Sequence, residues 1–186
     1  MNKKLAAAVS GCAALVLVLS GCGDDGDEKA NAWAKKVCDE WQPQLDKVEK
    51  ANAEMKRVSS QDSKSDEVQK VDSAAFQTQA DAYTAMAKAL RDAGVPPVKD
   101  GQSMLDASAG GFDTAAKGYA DVKTKIDALD AKDPAKFADG LEALGGDIEA
   151  ANQGSKSAFD ELNKSGLAKA LNAQKGCKVA SPAPTG

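Results

Sequence analysis

The four cysteines are the side chains with the widest range of chemistry in this sequence. They stand at positions 12, 22, 38 and 177 of a chain of 186 residues. A cysteine can be acylated, attack a substrate, bind a metal or pair in a disulfide. The chain has no histidine, which removes the Cys–His and Ser–His nucleophile pairs and most zinc ligand sets. The segment around each cysteine therefore decides its chemistry.

The first 21 residues have the layout of a cleavable export signal. Lys3 and Lys4 form a positive start, residues 5–19 are mainly apolar, and small residues follow. The apolar run of about 15 residues is shorter than the roughly 20 that a transmembrane helix needs. We therefore expect residues 1–21 to be removed as a signal peptide.

Cys22 ends the tetrapeptide LSGC, which resembles the bacterial lipobox. The resemblance implies that Cys22 receives a diacylglyceryl group and, after further acylation such as palmitoylation, becomes the first residue of a membrane-anchored chain. A similar tetrapeptide, VSGC, ends at Cys12. Only about five apolar residues precede it, fewer than the roughly 7–15 of a signal. We predict lipidation at Cys22 and no role for Cys12. The alternative is an ordinary secretory signal and a soluble product.

Residues 22–31 are expected to form a short acidic tether, because they include the segment GDDGDE. Two acyl chains anchor a protein stably whereas one is marginal, so the tether would hold the folded part beside the membrane. Loss of Lys3 and Lys4 with the signal leaves 22 basic against 28 acidic residues. This acidic balance disfavours binding to nucleic acid and to anionic lipid headgroups.

Cys38 and Cys177 are the two cysteines that remain. An even number of cysteines in an exported protein indicates a disulfide. A metal site is the alternative, but the chain has no histidine and no CxxC pair, and zinc usually takes four ligands. We predict a structural disulfide, no metal and no cofactor. Chain-entropy estimates give such a long loop about 4–5 kcal/mol of stabilisation.

Hydrophobic periodicity predicts an all-α fold. Alanine is abundant and aromatic residues make up only 4% of the chain. Apolar residues at spacings of three and four predict helices over residues 30–58, 66–93, 102–130 and 133–163, followed by a short helix near Leu171. Pro43 should kink the first helix or restart it. The folded domain is predicted to span residues 32–177, with a disordered tail over 178–186.

Four helices with short connections predict an up-down-up-down bundle. After four antiparallel helices the chain returns to the end where it began, which places Cys177 near Cys38, as the disulfide requires. The tether and the loop around residues 94–101 are expected at this same end. The loops over residues 59–65 and 130–133 are expected at the opposite end, away from the membrane.

Four apolar side chains are candidate contact residues. Trp33 and Trp41 lie two helical turns apart and flank Cys38, so they either pack against the disulfide or form an exposed aromatic patch for a partner. Pro96 and Pro97, in AGVPPVKDG, form a stiff apolar ridge that is either a recognition loop or a plain connector.

Residue types that usually carry out catalysis are missing. Histidine is absent, no glycine-rich phosphate loop follows a strand, and the segment SSQDSKSDE lacks the ligand spacing of a calcium loop. Acidic side chains alternate with lysines at helical spacing, as Asp121 and Lys125 do, which is typical of a solvated surface. We expect a protein that is not an enzyme.

Four segments together, LSGC, WAKKVC, AGVPPVKDG and KGC, resemble small secreted lipoproteins of streptomycetes and related actinobacteria. The resemblance implies a location on the outer face of the cell membrane and no particular reaction. Two functions fit it. The first is a non-enzymatic envelope lipoprotein that acts through protein contacts, as a scaffold or accessory sensor. The second is a carrier or sensor of a small apolar ligand held between the helices.

Overall fold

A computed structural model describes residues 24–164 and 166–178. The predicted signal peptide, Cys12, Cys22 and most of the predicted tail lie outside these residues. The described part is all-helical and contains no strand. Its helices are α1 (Asp24–Ser59), α2 (Ser65–Ala93), α3 (Gly101–Asp127), α4 (Pro134–Ala143), α5 (Gly145–Lys164) and α6 (Ala168–Ala173), followed by a 3₁₀ turn at Lys175–Cys177.

Helix α1 begins at Asp24, inside the segment predicted to be a tether. Acidic residues favour the first turns of a helix because they complement its dipole. Asp27 also pairs with Lys169 of α6 at 2.9 Å, and Ala30 is buried. The prediction of a tether up to residue 31 is therefore wrong from Asp24 onward, because helix and packing begin there. The helix also continues through the exposed Pro43 without restarting.

Helices α1 and α2 are joined by hydrogen bonds from two tryptophans of α1. The indole Nε1 of Trp33 donates to the carbonyl oxygen of Gly94 at 2.8 Å, and that of Trp41 donates to the carbonyl oxygen of Met86 at 3.1 Å. From the first bond to the second, the donor moves forward along α1 while the acceptor moves backward along α2. The two helices are therefore antiparallel. Each bond also satisfies an indole donor that packing has removed from water.

Helix α2 packs next to α3, and α3 packs next to α5. At the far end of α3, the side-chain amide of Gln69 donates to the carbonyl oxygens of Ile126 and Leu129, at 2.8 and 2.9 Å. These carbonyls lie at or just beyond the C-terminus of the helix, where backbone acceptors lack helical partners. Lys125 and Asp147 then join α3 to the start of α5 at 2.5 Å.

The closest approach between α3 and α5 depends on glycine. A Cβ atom added at Gly118 would lie 2.8 Å from the Cβ of Ala151, and one at Gly111 would lie 2.9 Å from the Cβ of Ala158. Real side chains do not come so close, so the two helices need glycine at these positions. A Cβ at Gly110 would meet nothing within 4 Å. Close packing therefore requires glycine at Gly111 and Gly118 but not at Gly110.

The predicted fourth helix is two helices, α4 and α5, with Leu144 between them. The Asp133 side chain caps α4 by accepting a hydrogen bond from the backbone of Lys136 at 3.2 Å, and Pro134 occupies the first turn. The break falls just before Gly145 and Gly146. Five helices, not four, therefore build the main body, and α4 buries Phe137.

Six aromatic rings form a continuous column inside the molecule. Phe76, Tyr119, Tyr83 and Phe112 stack in that order, with ring centroids 5.5 to 6.0 Å apart. Trp41 and Phe159 complete the column with edge-on contacts to Phe112 at 5.4 and 5.1 Å. Because α1, α2, α3 and α5 all contribute rings, this column holds the four long helices together.

Candidate functional site

Cys38 and Cys177 form a disulfide, as the sequence predicted. Their Cα atoms are 5.1 Å apart across a sequence separation of 139 residues. Cys38 is only 1% exposed. Gly176 lies directly against the backbone carbonyl of Cys38, where a Cβ atom could not fit. The final turn of the chain is therefore pressed onto α1, and its glycine and cysteine act together to fasten it. We call this end of the molecule the disulfide end.

The disulfide end also contains the start of α1. Helix α6 and the 3₁₀ turn pack on α1, and the Lys169–Asp27 ion pair lies close to the first described residue. The predicted lipidation site, Cys22, is two positions before Asp24 in the sequence. The opposite end contains the α1–α2 connection and α4, and we call it the α4 end.

Trp33 and Trp41 do not form a surface patch. Both are buried, and both indole nitrogens are bonded to carbonyl oxygens of α2. Trp41 also contacts Phe112 and Phe159 edge-on. Their prediction as contact residues for a partner is wrong, because the stripe that carries them faces the interior of the bundle. The interpretation that they pack in the core beside Cys38 is confirmed.

Pro96 and Pro97 differ in their exposure. Pro96 is buried and its carbonyl oxygen lies against Gly101, whereas Pro97 is exposed. Val95 beside them is 54% exposed. Pro97 and Val95 are therefore available for contact, whereas Pro96 is a packing residue. The indole bond from Trp33 to Gly94 places the loop at the disulfide end.

Polar groups occur among the aromatic rings of α2, α3 and α5. The Tyr119 hydroxyl donates to Asn152 Oδ1 at 2.6 Å, and the hydroxyls of Tyr119 and Ser155 lie beside that of Tyr83. Burial raises the pKa of both tyrosines. The two hydroxyls therefore stay protonated at neutral pH and act as hydrogen-bond donors.

A second polar pair lies on the other side of the same interior. The Gln79 side-chain amide is buried and donates to Asn52 Oδ1 at 2.9 Å, while Asn52 itself is exposed. Asn152 is exposed as well. Neither asparagine is predicted to be a functional residue from the sequence. The available signal was a polar asparagine on an otherwise apolar helical stripe, which is hydrated or hydrogen-bonded in most folds.

A shallow groove of about 470 Å³ lies between the outer faces of α3 and α5. Lys117 pairs with Asp121 at 2.7 Å at its rim, and Lys125 pairs with Asp147. The four charged side chains are about half exposed or more. The pairs neutralise one another in water and are worth little energetically. This groove has the character of a solvated surface.

The described residues offer no arrangement for metal chemistry or membrane crossing. Across residues 24–164 and 166–178, no group of three or more Cys, Asp and Glu side chains is placed to hold a metal ion. No helix in this part of the chain combines the length and the apolar character needed to span a bilayer. Comparisons with protein families, curated proteins and solved structures give no match.

Proposed function

We propose that this protein is a non-enzymatic lipoprotein of the cell envelope, anchored on the outer face of the membrane by lipid on Cys22. In this proposal it is similar to small secreted lipoproteins of actinobacteria and acts through protein contacts, as a scaffold or accessory sensor. The observation that carries the proposal is the Cys38–Cys177 disulfide. Structural disulfides persist mainly in exported proteins, which agrees with the signal-like layout of residues 1–21.

The proposed architecture is an up-down-up-down bundle of α1, α2, α3 and α5. The antiparallel hydrogen bonds of Trp33 and Trp41 between α1 and α2 support this order. So do the contacts of Tyr119 with Phe76 on α2 and with Asn152 on α5. Helix α4 would then be the first part of a broken fourth helix.

The start of α1 determines how such a protein would stand on the membrane. Only Gly23 separates the proposed lipidated residue from Asp24, so little flexible chain remains between lipid and bundle. Helix α1 has 36 residues and is about 54 Å long. The α4 end would therefore be held several tens of ångströms from the bilayer. A partner in the envelope would reach this end most easily.

The alternative of an apolar ligand held between the helices has weaker support. The aromatic column fills the interior near Trp41 and Phe112, and Gly111 and Gly118 of α3 are in direct contact with α5. A wholly apolar ligand would need open space among these rings and glycines, which are already packed against one another. We therefore prefer the anchored contact protein as the main function.

Membrane fractionation of cells that express single cysteine variants tests the proposal. Cys22→Ala should appear in the soluble fraction or accumulate unprocessed, because the acyl acceptor is gone. Cys12→Ala is the matched control, since it removes a cysteine with the same local sequence, and it should fractionate like the wild-type protein. Unchanged membrane retention and processing of Cys22→Ala would contradict the proposal. Crosslinking in intact cells, compared with an unrelated lipoprotein, would then identify the partner.

A further inference from the structure

Helices α1 and α5 are the neighbours in this fold whose backbones hardly approach each other. The pairs α1/α2, α2/α3 and α3/α5 pack closely along their length, whereas α1 and α5 do not. They meet through side chains at the edge-on contact of Trp41 with Phe159, at 5.9 Å. Helix α6 and the 3₁₀ turn pack on α1 at the disulfide end. Within residues 24–164 and 166–178, α1 packs closely only on α2, α6 and the 3₁₀ turn.

Helical spacing identifies the residues on the sides of α1 and α5 that face each other. On α1 the stripe that contains Trp41 continues through Val48, Asn52 and Met55. Asn52 lies 11 residues beyond Trp41, and Ile148 lies 11 residues before Phe159, on the antiparallel helix. Asn52 and Ile148 each lie about 16 Å from the Trp41–Phe159 contact, in the direction of the α4 end. They are therefore at the same level of the bundle.

Exposure shows that the line between α1 and α5 is open. Asn52 and Asn152 are both exposed although they lie on the facing stripes. Val48, Met55 and Ile148 beside them are only half-buried. In a closed bundle these positions would be covered by the opposite helix. We call the opening the α1/α5 cleft and define it by the residues Val48, Asn52, Met55, Ile148 and Asn152, with Tyr83 at its base.

The chemistry of the α1/α5 cleft is uncharged and rich in donors. Asn52 and Asn152 each have their side-chain oxygen occupied by an interior donor, Gln79 and Tyr119 respectively. This fixes both carboxamides and leaves each Nδ2 group without a hydrogen bond among the described residues. The Tyr83 hydroxyl lies at the base beside Ser155. Val48, Met55 and Ile148 supply apolar walls, and the exposed carboxylate of Glu149 lies at the rim, near the Tyr119 hydroxyl.

We propose that the α1/α5 cleft binds an uncharged small molecule that has an apolar skeleton and carbonyl or hydroxyl oxygens. The apolar skeleton would lie against Val48, Met55 and Ile148. Its oxygens would accept hydrogen bonds from the two asparagine Nδ2 groups. Pockets of mainly apolar walls with a few fixed polar groups are the usual form of small-molecule sites. The inference goes beyond the proposed function, and it holds whether or not Cys22 is lipidated.

Acetophenone is a suitable probe, because it is neutral, water-soluble and combines an apolar ring with one carbonyl acceptor. Toluene has the ring without the acceptor. The full mature protein in detergent micelles would be titrated with each, while NMR follows the side-chain amide signals of Asn52 and Asn152. We expect a saturable shift of both signals with a Kd on the order of 1 mM for acetophenone, and binding of toluene weaker by about tenfold.

Two variants fill the cleft from opposite walls. Ile148→Trp leaves the Gln79–Asn52 hydrogen bond intact, and Asn52→Trp is at an exposed position. Asn172→Trp, at an exposed site on α6 outside the cleft, is the matched control. Thermal melting would first establish that each variant is folded. Each filling variant that folds should bind acetophenone at least about tenfold more weakly, and Asn172→Trp should bind like the wild type.

Three results would overturn the proposal. The first is the absence of a saturable shift at Asn52 and Asn152 up to about 20 mM acetophenone, well above the expected Kd. The second is equal affinity for toluene and acetophenone, which would mean that the asparagines play no part. The third is unchanged binding in a folded Ile148→Trp or Asn52→Trp variant. Failure of this experiment would not affect the fractionation test of Cys22.

Discussion

At the scale of single residues, the interior of this protein combines an apolar core with a few polar side chains that are held in place. The indoles of Trp33 and Trp41 donate to backbone carbonyls of α2, and Tyr119 donates to Asn152. Buried polar groups usually find such partners, because leaving one unpaired costs about 1–3 kcal/mol. The Ser108 hydroxyl is an exception, being fully buried with no partner among the described residues.

Asp72 on α2 has no ion-pair partner within the part of the chain that the structure describes. It is half-buried, and desolvation raises its pKa from 3.8 to about 6. A carboxyl whose pKa is higher in the folded state stabilises the fold while it is protonated. That stabilisation is present below the unfolded pKa of 3.8 and is lost as the pH rises through about 6.

Asp72→Asn should therefore stabilise the protein at pH 7.5 by about 1 kcal/mol, after allowance for solvent screening of a half-exposed group. Near pH 4 the gain should vanish, because the wild-type carboxyl is then mostly neutral in the folded protein. Denaturant unfolding at both pH values measures the difference. Asp139→Asn, at an exposed position on α4, is the control and should change stability little at either pH. An equal gain for Asp72→Asn at both pH values would rule out charge desolvation as its cause.

At the scale of the elements, helix existence could be predicted from the sequence better than helix boundaries. The apolar spacing of each long helix is set by its own residues, so α2 and α3 appear close to where periodicity predicts them. The early start of α1 at Asp24 depends on contacts with α6, which lies far along the chain. The partners of Asn52 and Asn152 likewise depend on how the helices pack. The pairing of Cys38 with Cys177 was predictable because no other cysteines were left for it.

The packing of α3 against α5 predicts that alanine substitutions at two nearby glycines change the free energy of unfolding in opposite directions. Gly118→Ala should destabilise the protein by about 1–3 kcal/mol, because the new Cβ overlaps with Ala151 and must push the helices apart. Gly110→Ala should stabilise it by up to about 1 kcal/mol, since alanine favours helix and the position has free space. Thermal or denaturant unfolding checks both. If Gly118→Ala were as stable as Gly110→Ala, the close α3–α5 contact would be wrong.

At the scale of the whole molecule, one covalent bond joins the beginning of the bundle to its end. The disulfide connects α1 to the final 3₁₀ turn across 139 residues. The aromatic column links α1, α2, α3 and α5 between these points. The backbones of α1 and α5 hardly touch, and the disulfide fastens the final turn to α1.

Replacing both cysteines by alanine should lower the free energy of unfolding by roughly 4 kcal/mol, as expected for opening so long a loop. The double variant Cys38→Ala/Cys177→Ala leaves no lone thiol that could form other bonds. Urea denaturation with and without a reductant provides the measurement. Reductant should shift the wild-type midpoint to that of the double variant and leave the double variant unchanged. A wild-type midpoint that is insensitive to complete reduction would show that the bond contributes nothing.

The most direct test of the central proposal is intact-mass spectrometry of the protein extracted from membranes, followed by peptide mapping without reduction. The proposal predicts a mature chain that begins at Cys22, carries acyl groups on that residue and contains a peptide joining Cys38 to Cys177. An extracted chain that begins at any other residue, or that begins at Cys22 without lipid, would contradict the lipid-anchored function.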